Sequence, residues 1–109
     1  MAFSYQILGQ TSVAANTNTD LYTVSANTSA IVSSLVICNQ NASGISYRVA
    51  ARKNGAALTG DHYLIYNSTI PANDTVSLSF GMSLSATDIV TVFANSASVS
   101  FTLFGTQVT

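Results

Sequence analysis

The chain has 109 residues, enough for one domain with a single core. Hydrophobic residues make up 48% and charged residues only 6%, with a net charge of −1 and no glutamate. So few cations exclude a nucleic-acid binder, which works by setting basic side chains against phosphates, and so much apolar content excludes ordinary disorder.

Period-two alternation runs along almost the whole chain, and no window keeps a helical period. Phe3 to Leu8 is the first predicted strand, with Phe3, Tyr5 and Ile7 on one face. A loop rich in Ala, Asn and Thr leads to a second strand, Leu21 to Ser25. The third, "AIVSSLVIC", is apolar on both faces and is expected to be central. The fourth, "GISYRVAAR", turns Ile45, Tyr47, Val49 and Ala51 inward and Ser46, Arg48 and Arg52 outward. "HYLIY", "TVSLSF", "DIVTVFA" and "SVSFTLF" complete the series.

The connections carry turn chemistry. Asn54-Gly55 can supply the positive φ values of a tight turn. "QNASG" and "ANSAS" are short enough to make hairpins of their flanking strands. Pro71, the one proline, precedes a strand, where its missing N–H does no harm. Eight short strands of this kind predict an all-β fold: a single domain, 1–109, built as an eight-stranded β-sandwich of jelly-roll type. The expected core contains Phe3, Ile7, Leu35, Ile37, Tyr47, Val49, Leu78, Phe80, Val92, Phe101 and Leu103.

The outward side of this sandwich is unusual. Ser98, Ser100 and Thr102 stand opposite Val99, Phe101 and Leu103, and "TVSLSF" repeats the design with Ser77 and Ser79. Paired, these two strands would make a flat, neutral, hydrogen-bonding surface. Ser, Thr and Asn fill about a third of the chain, so polarity is abundant but not ionic. Small hydroxyls let another protein approach without stranding a buried charge. A surface this poor in charge also lacks the repulsion that keeps small domains apart. The expectation is therefore a component of an assembly.

No cluster of residues spells out a reaction. His62 is the one histidine and follows Asp61, but neighbours in an extended strand point to opposite faces, so no catalytic triad is expected. One His and one Cys cannot make a structural zinc site, and Asp20, Asp61, Asp74 and Asp88 sit at strand entries, where Asp satisfies turn backbone. No catalytic residue, metal or cofactor is assigned. Cys38 ends an apolar run and reads as a buried thiol. The Asn-x-Ser/Thr triplets at Asn27, Asn41, Asn67 and Asn73 are those expected by chance in so Asn-, Ser- and Thr-rich a chain. The N-terminus lacks the basic region of a secretory signal, and no segment reaches the roughly 20 apolar residues that span a bilayer. A cytoplasmic product with no membrane partner is expected. The sole cations, Arg48, Arg52 and Lys53, lie within six residues of one another. They form either a solvated strand face or a contact with an acidic partner surface. Tyr63 and Tyr66 belong either to packing or to a platform for a sugar ring.

Several stretches carry a resemblance: "SAIVSSLVICN", "YRVAAR", "HYLIY", "IPANDT" and a closing "ATDIVTV…FTLFG". From about Leu21 to the C-terminus the chain resembles a family of small virion proteins of tailed bacteriophages that infect marine bacteria and cyanobacteria. The resemblance implies a non-enzymatic structural role in the virion, assembled in the host cytoplasm. Capsid decoration, in contact with the major capsid protein or another virion protein and self-associated as a trimer, comes first. A neck or tail component, a fibre adaptor, or a carbohydrate-binding module for host attachment are the alternatives. The candidate partner-contact residues are Arg48, Arg52, Lys53, Ser77, Ser79, Ser98, Ser100 and Thr102.

Overall fold

A computed structural model describes residues 2–109. It contains eight strands: β1 (Phe3–Ser12), β2 (Thr19–Thr23), β3 (Ser29–Asn39), β4 (Ile45–Arg52), β5 (Tyr63–Ile70), β6 (Thr75–Leu84), β7 (Ile89–Ala94) and β8 (Val99–Val108). The helical pieces among the described residues are two 3-10 turns, Lys53–Gly55 and Gly60–His62, and no helix is long and apolar enough to cross a membrane.

The strands form two four-stranded antiparallel sheets with orders β1-β8-β3-β6 (sheet A) and β2-β7-β4-β5 (sheet B). This order has a simple origin. Strands pair as 1·8, 2·7, 3·6 and 4·5, like one long hairpin folded over on itself, and the contacts β3·β8 and β4·β7 close the two sheets. The result is an eight-stranded jelly-roll sandwich. Only the β4–β5 connection stays within a sheet. "QNASG" and "ANSAS" are therefore crossings between sheets and not hairpins, because β3 and β8 belong to sheet A while β4 and β7 belong to sheet B.

The core lies between the sheets. Leu35, Ile37, Tyr47, Val49, Val92, Phe101 and Leu103 are buried as expected, and Leu78 and Phe80 pack half-buried against them. Phe3 and Ile7 are not core residues: they are 59% and 50% exposed, and Tyr5 between them is 84% exposed. The cause is a β-bulge. The β1–β8 register steps from Ile7↔Phe104 to Gly9↔Leu103, so Leu8 is an extra residue, and it packs against the core. One inserted residue exchanges the two faces of everything before it. Gly9 and Gly105 sit beside the bulges of sheet A where backbones crowd together. A Cβ on Gly9 would collide with the Leu21 carbonyl oxygen, and one on Gly105 with that of Ile31.

Two further expectations are corrected. Cys38 is half-buried on the outer side of β3, because the inward positions there belong to Leu35, Ile37 and Asn39. Ser98 lies in the turn before β8, with φ 61°, and not on the strand.

Asparagine supplies much of the turn geometry. Asn16, Asn27, Asn54, Asn67 and Asn73 all have φ between 54° and 59°, a region Asn tolerates better than other residues with a Cβ. Asn39, 1% exposed, ties two turns together. Its Nδ2 donates to the carbonyls of Ser43, Ile70 and Pro71, and its Oδ1 accepts from the Asn41 backbone N–H.

Candidate contact surfaces

The two outer faces of the sandwich differ in kind. None of the four strands of sheet A contains Asp, Glu, Lys, Arg or His. Cross-strand register arranges its outer face in rows: Ser12–Ser100–Cys38–Thr75, then Gln10–Thr102–Val36–Ser77, then Ile7–Phe104–Ser34–Ser79, then Tyr5–Thr106–Ile31–Ser83. Ser77, Ser79, Ser100 and Thr102 are thus brought onto one face. The strands that carry them are not partners, however. β6 pairs only with β3, which separates it from β8 and sets Ser34, Val36 and Cys38 between the two hydroxyl rows. Ser77 and Ser79 are exposed on the sheet edge, while Ser100 and Thr102 are half-buried among neighbours; Gln10 Nε2 donates to the Thr102 hydroxyl at 3.3 Å.

Chemistry changes along this face. At the Ser12 end the rows are mainly small and polar. At the Phe3 end Phe3, Tyr5, Ile7 and Ile31 stand in solvent, each at least half exposed. The opposite side of the same stretch is polar: Gln6 Nε2 donates to Gln107 Oε1 at 2.9 Å, and Gln107 Nε2 donates to the Tyr22 hydroxyl at 2.8 Å. So the end of β1 is amphipathic in the inverted sense, with its apolar side facing away from the sandwich. Sequence reasoning missed this group. The available signal was the adjacent apolar pair Ile7-Leu8 followed by Gly9, which breaks the alternation as a bulge does.

Sheet B carries every charge found in a strand. Arg48, on β4, lies in register between Tyr66 of β5 and Phe93 of β7. Its guanidinium carbon sits 4.3 Å from each ring centroid, and its Nε donates to Asn67 Oδ1 at 2.8 Å. Such stacking is favourable because the ring faces are electron-rich. Arg52 is also engaged. It pairs with Asp20 at 2.9 Å, donates to the Thr91 hydroxyl at 3.0 Å, and donates to the Ala56 carbonyl at 3.0 Å. Lys53 is exposed at the start of the β4–β5 loop. The predicted tight turn follows it, with φ 56° at Asn54 and 64° at Gly55, and Asp88 accepts the Asn54 N–H. The candidate cations and the candidate hydroxyls therefore occupy opposite faces of the molecule.

The β4–β5 loop lies over the outer face of sheet B and borders an open depression of about 760 Å³ lined by Asn18, Leu58, Thr59, Gly60, Tyr63 and Tyr66. Tyr63 and Tyr66 meet edge to face, with centroids 4.9 Å apart. His62 is in the 3-10 turn and not in a strand; its Nδ1 accepts the Thr59 N–H at 3.0 Å, closing a capping box. The Thr59 hydroxyl donates to Asp61 and holds that carboxyl below its usual range. This carboxylate engages the hydroxyl and not the second imidazole nitrogen, so Thr59, Asp61 and His62 lack the relay geometry of a hydrolase.

No family matches the sequence, and no curated protein is similar to it. Solved structures do share the fold. A chain of the T13 particle of infectious bursal disease virus (IBDV) aligns with a TM-score of 0.54 at 11% identity, over 97% of this chain and 29% of that one. A chain of infectious bursal disease virus, Gx strain, aligns with a TM-score of 0.51 at 11% identity, over 97% of this chain and 32% of that one. This chain spans about a third of the length of those proteins. At such identity the likeness is one of fold: the jelly-roll sandwich derived above is also found in chains of virus particles.

Proposed function

We propose that this protein is a non-enzymatic structural component of a virion, a jelly-roll block that packs against other proteins through its uncharged sheet. One observation carries the proposal: a whole four-stranded sheet, exposed on its outer face, contains no charged side chain. Burying such a face strands no ion, whereas each unpaired charge taken out of water costs several kcal/mol. The fold shared with viral-particle chains supports the same role. Within it, the block is a capsid decoration protein that binds the shell and stabilises the particle. The opposite face, with Arg48, Arg52 and Lys53, is the contact for an acidic partner surface. Lys53 is the freest of the three, since Arg52 already pairs with Asp20 and Arg48 is stacked.

Electron cryo-microscopy of purified particles tests the role, together with the copy number of this chain relative to the shell protein. Discrete density on the capsid at a fixed stoichiometry is expected; particles that lack the chain would remove the proposal. The depression beside Tyr63 and Tyr66 favours a second role, a site for a neutral sugar, because it sets aromatic rings beside the polar groups of Asn18 and Thr59. Saturable binding of neutral glycans by the isolated domain, lost in Tyr66→Ala, is the result expected of it.

A further inference from the structure

Edge strands of soluble proteins are guarded by charge, proline, a bulge or a covering segment. Between Phe3 and Ile7 the outer edge of β1 has no such guard. The first charged residue of the chain is Asp20, Pro71 is distant, and the bulge comes only at Leu8. β2, which spans only Thr19–Thr23, leaves this end of β1 uncovered, so that Ser4 and Gln6 are exposed on one side and Phe3, Tyr5 and Ile7 on the other.

Hydrogen-bond parity defines what the edge offers. Ala2 and Thr109 exchange both backbone bonds, at 2.8 and 2.9 Å. Antiparallel alternation then makes Ser4–Gln107 and Gln6–Gly105 the next exchanging pairs, and directs the N–H and C=O groups of Phe3, Tyr5 and Ile7 to the free edge. The residues with unpaired edge groups are thus the ones with outward apolar side chains.

We infer that two copies of this chain join through β1, antiparallel about a two-fold axis at Tyr5, making one continuous eight-stranded sheet from two copies of sheet A. In that register Phe3 faces the second copy's Ile7, Tyr5 faces Tyr5, and Ile7 faces Phe3. Each is an exchanging pair with two backbone hydrogen bonds. The contact is self-complementary, as a two-fold interface must be. It brings no like charges together, since β1 has none. The exposed parts of the three side chains amount to roughly 350 Å² per copy, taking about 150–250 Å² for a whole aromatic side chain. A stable complex buries about 800 Å² per partner. An area this far below that makes the pair a weak, reversible dimer, and it stands independently of the role in a virion.

Sedimentation equilibrium of the full chain from about 5 to 500 µM, a range suited to weak association, is expected to show a monomer–dimer equilibrium. Amide exchange of Phe3, Tyr5 and Ile7 should slow as the dimer forms. Tyr5→Pro removes an edge N–H without removing a β1–β8 bond, and should weaken the dimer at least about 100-fold while circular dichroism stays unchanged. Tyr5→Lys, which leaves the backbone intact and sets like charges opposite each other, should do the same; it decides the matter should the proline disturb β1. A monomer throughout the range, a trimeric mass, or variants that dimerise like the parent would overturn the inference. A strand from another protein on this edge would give the first of these results.

Discussion

Two stretches of sheet A carry the same pattern and meet opposite fates. In Phe3–Ile7 and in Val99–Leu103 an apolar residue alternates with an uncharged polar one. Val99, Phe101 and Leu103 are wholly buried, whereas Phe3, Tyr5 and Ile7 are 50–84% exposed. The strands are direct neighbours, and Thr11 of β1 stands beside Phe101. Only the bulge at Leu8 separates the part of β1 that follows the core from the part that faces away from it. Alternation tells which residues share a side; it carries no sign for which side is inside.

The largest expected effect contrasts the two phenylalanines. Phe101→Ala should destabilise the fold by about 3–5 kcal/mol, as deletions of a buried aromatic do. Phe3→Ala should stay within about 0.5 kcal/mol, as exposed substitutions do. Denaturant titration of the monomer reads both, and equal losses would mean that β1 faces the core after all. Next in size is deletion of Leu8, which removes the bulge itself. It should cost about 2–4 kcal/mol for the lost leucine packing but leave Ile7 opposite Phe104 and Gly9 opposite Leu103, so that Tyr5 keeps its outward direction. Unchanged quenching of Tyr5 fluorescence by acrylamide, measured in a variant whose other tyrosines are Phe, checks that direction; slower quenching would mean that β1 has slipped by one residue and turned Tyr5 inward.

A smaller effect on folding, with a larger one on assembly, is expected across the hydroxyl rows. Ser100→Ala and Ser77→Asp should each leave monomer stability within about 0.5 kcal/mol. Under the decoration role proposed above, Ser77→Asp and Ser100→Asp should both weaken capsid binding, because a carboxylate buried without a partner costs several kcal/mol. If both variants bind as the parent does, these rows are merely solvated. Raising the salt concentration should separate the faces: contacts through sheet A should hold, and any step that uses Lys53 should weaken.

The smallest effect concerns Tyr47 in sheet B. Burial raises its phenol above the usual 10.0, against a weaker opposing hydrogen bond with Ser68. The folded state then holds the proton more tightly than the unfolded chain. That stability is complete below pH 10.0 and is lost as the pH climbs through the folded value. Tyr47→Phe should flatten the alkaline end of the stability profile, measured by thermal unfolding between pH 8 and pH 11, on either side of the usual tyrosine value of about 10.

Local chemistry alone placed much of this molecule. Period-two runs located all eight strands, though often too short: β1 extends to Ser12 and β8 to Val108. Asn54-Gly55 adopted its left-handed turn because both residues tolerate positive φ, whatever surrounds them. The central place of β3 could be read from its apolar residues on both faces, and the order β1-β8-β3-β6 gives it a neighbour on each side. The candidate surface was legible in part, because the missing charges are a property of composition.

Tertiary structure decided the rest. Whether "QNASG" turns back within a sheet or crosses to the other depends on where β4 finds its partners, β5 and β7. That Arg48 lies between two aromatic rings depends on a register joining β4 to residues 18 and 45 positions further along the chain. The outward turn of Phe3, Tyr5 and Ile7 depends on β8, about a hundred residues away, as the contact between Gln6 and Gln107 shows. Turns and alternation are set by interactions a few residues apart. Pairing, and with it the direction that a strand's apolar side faces, is settled only when distant segments meet and their backbone hydrogen bonds choose one register.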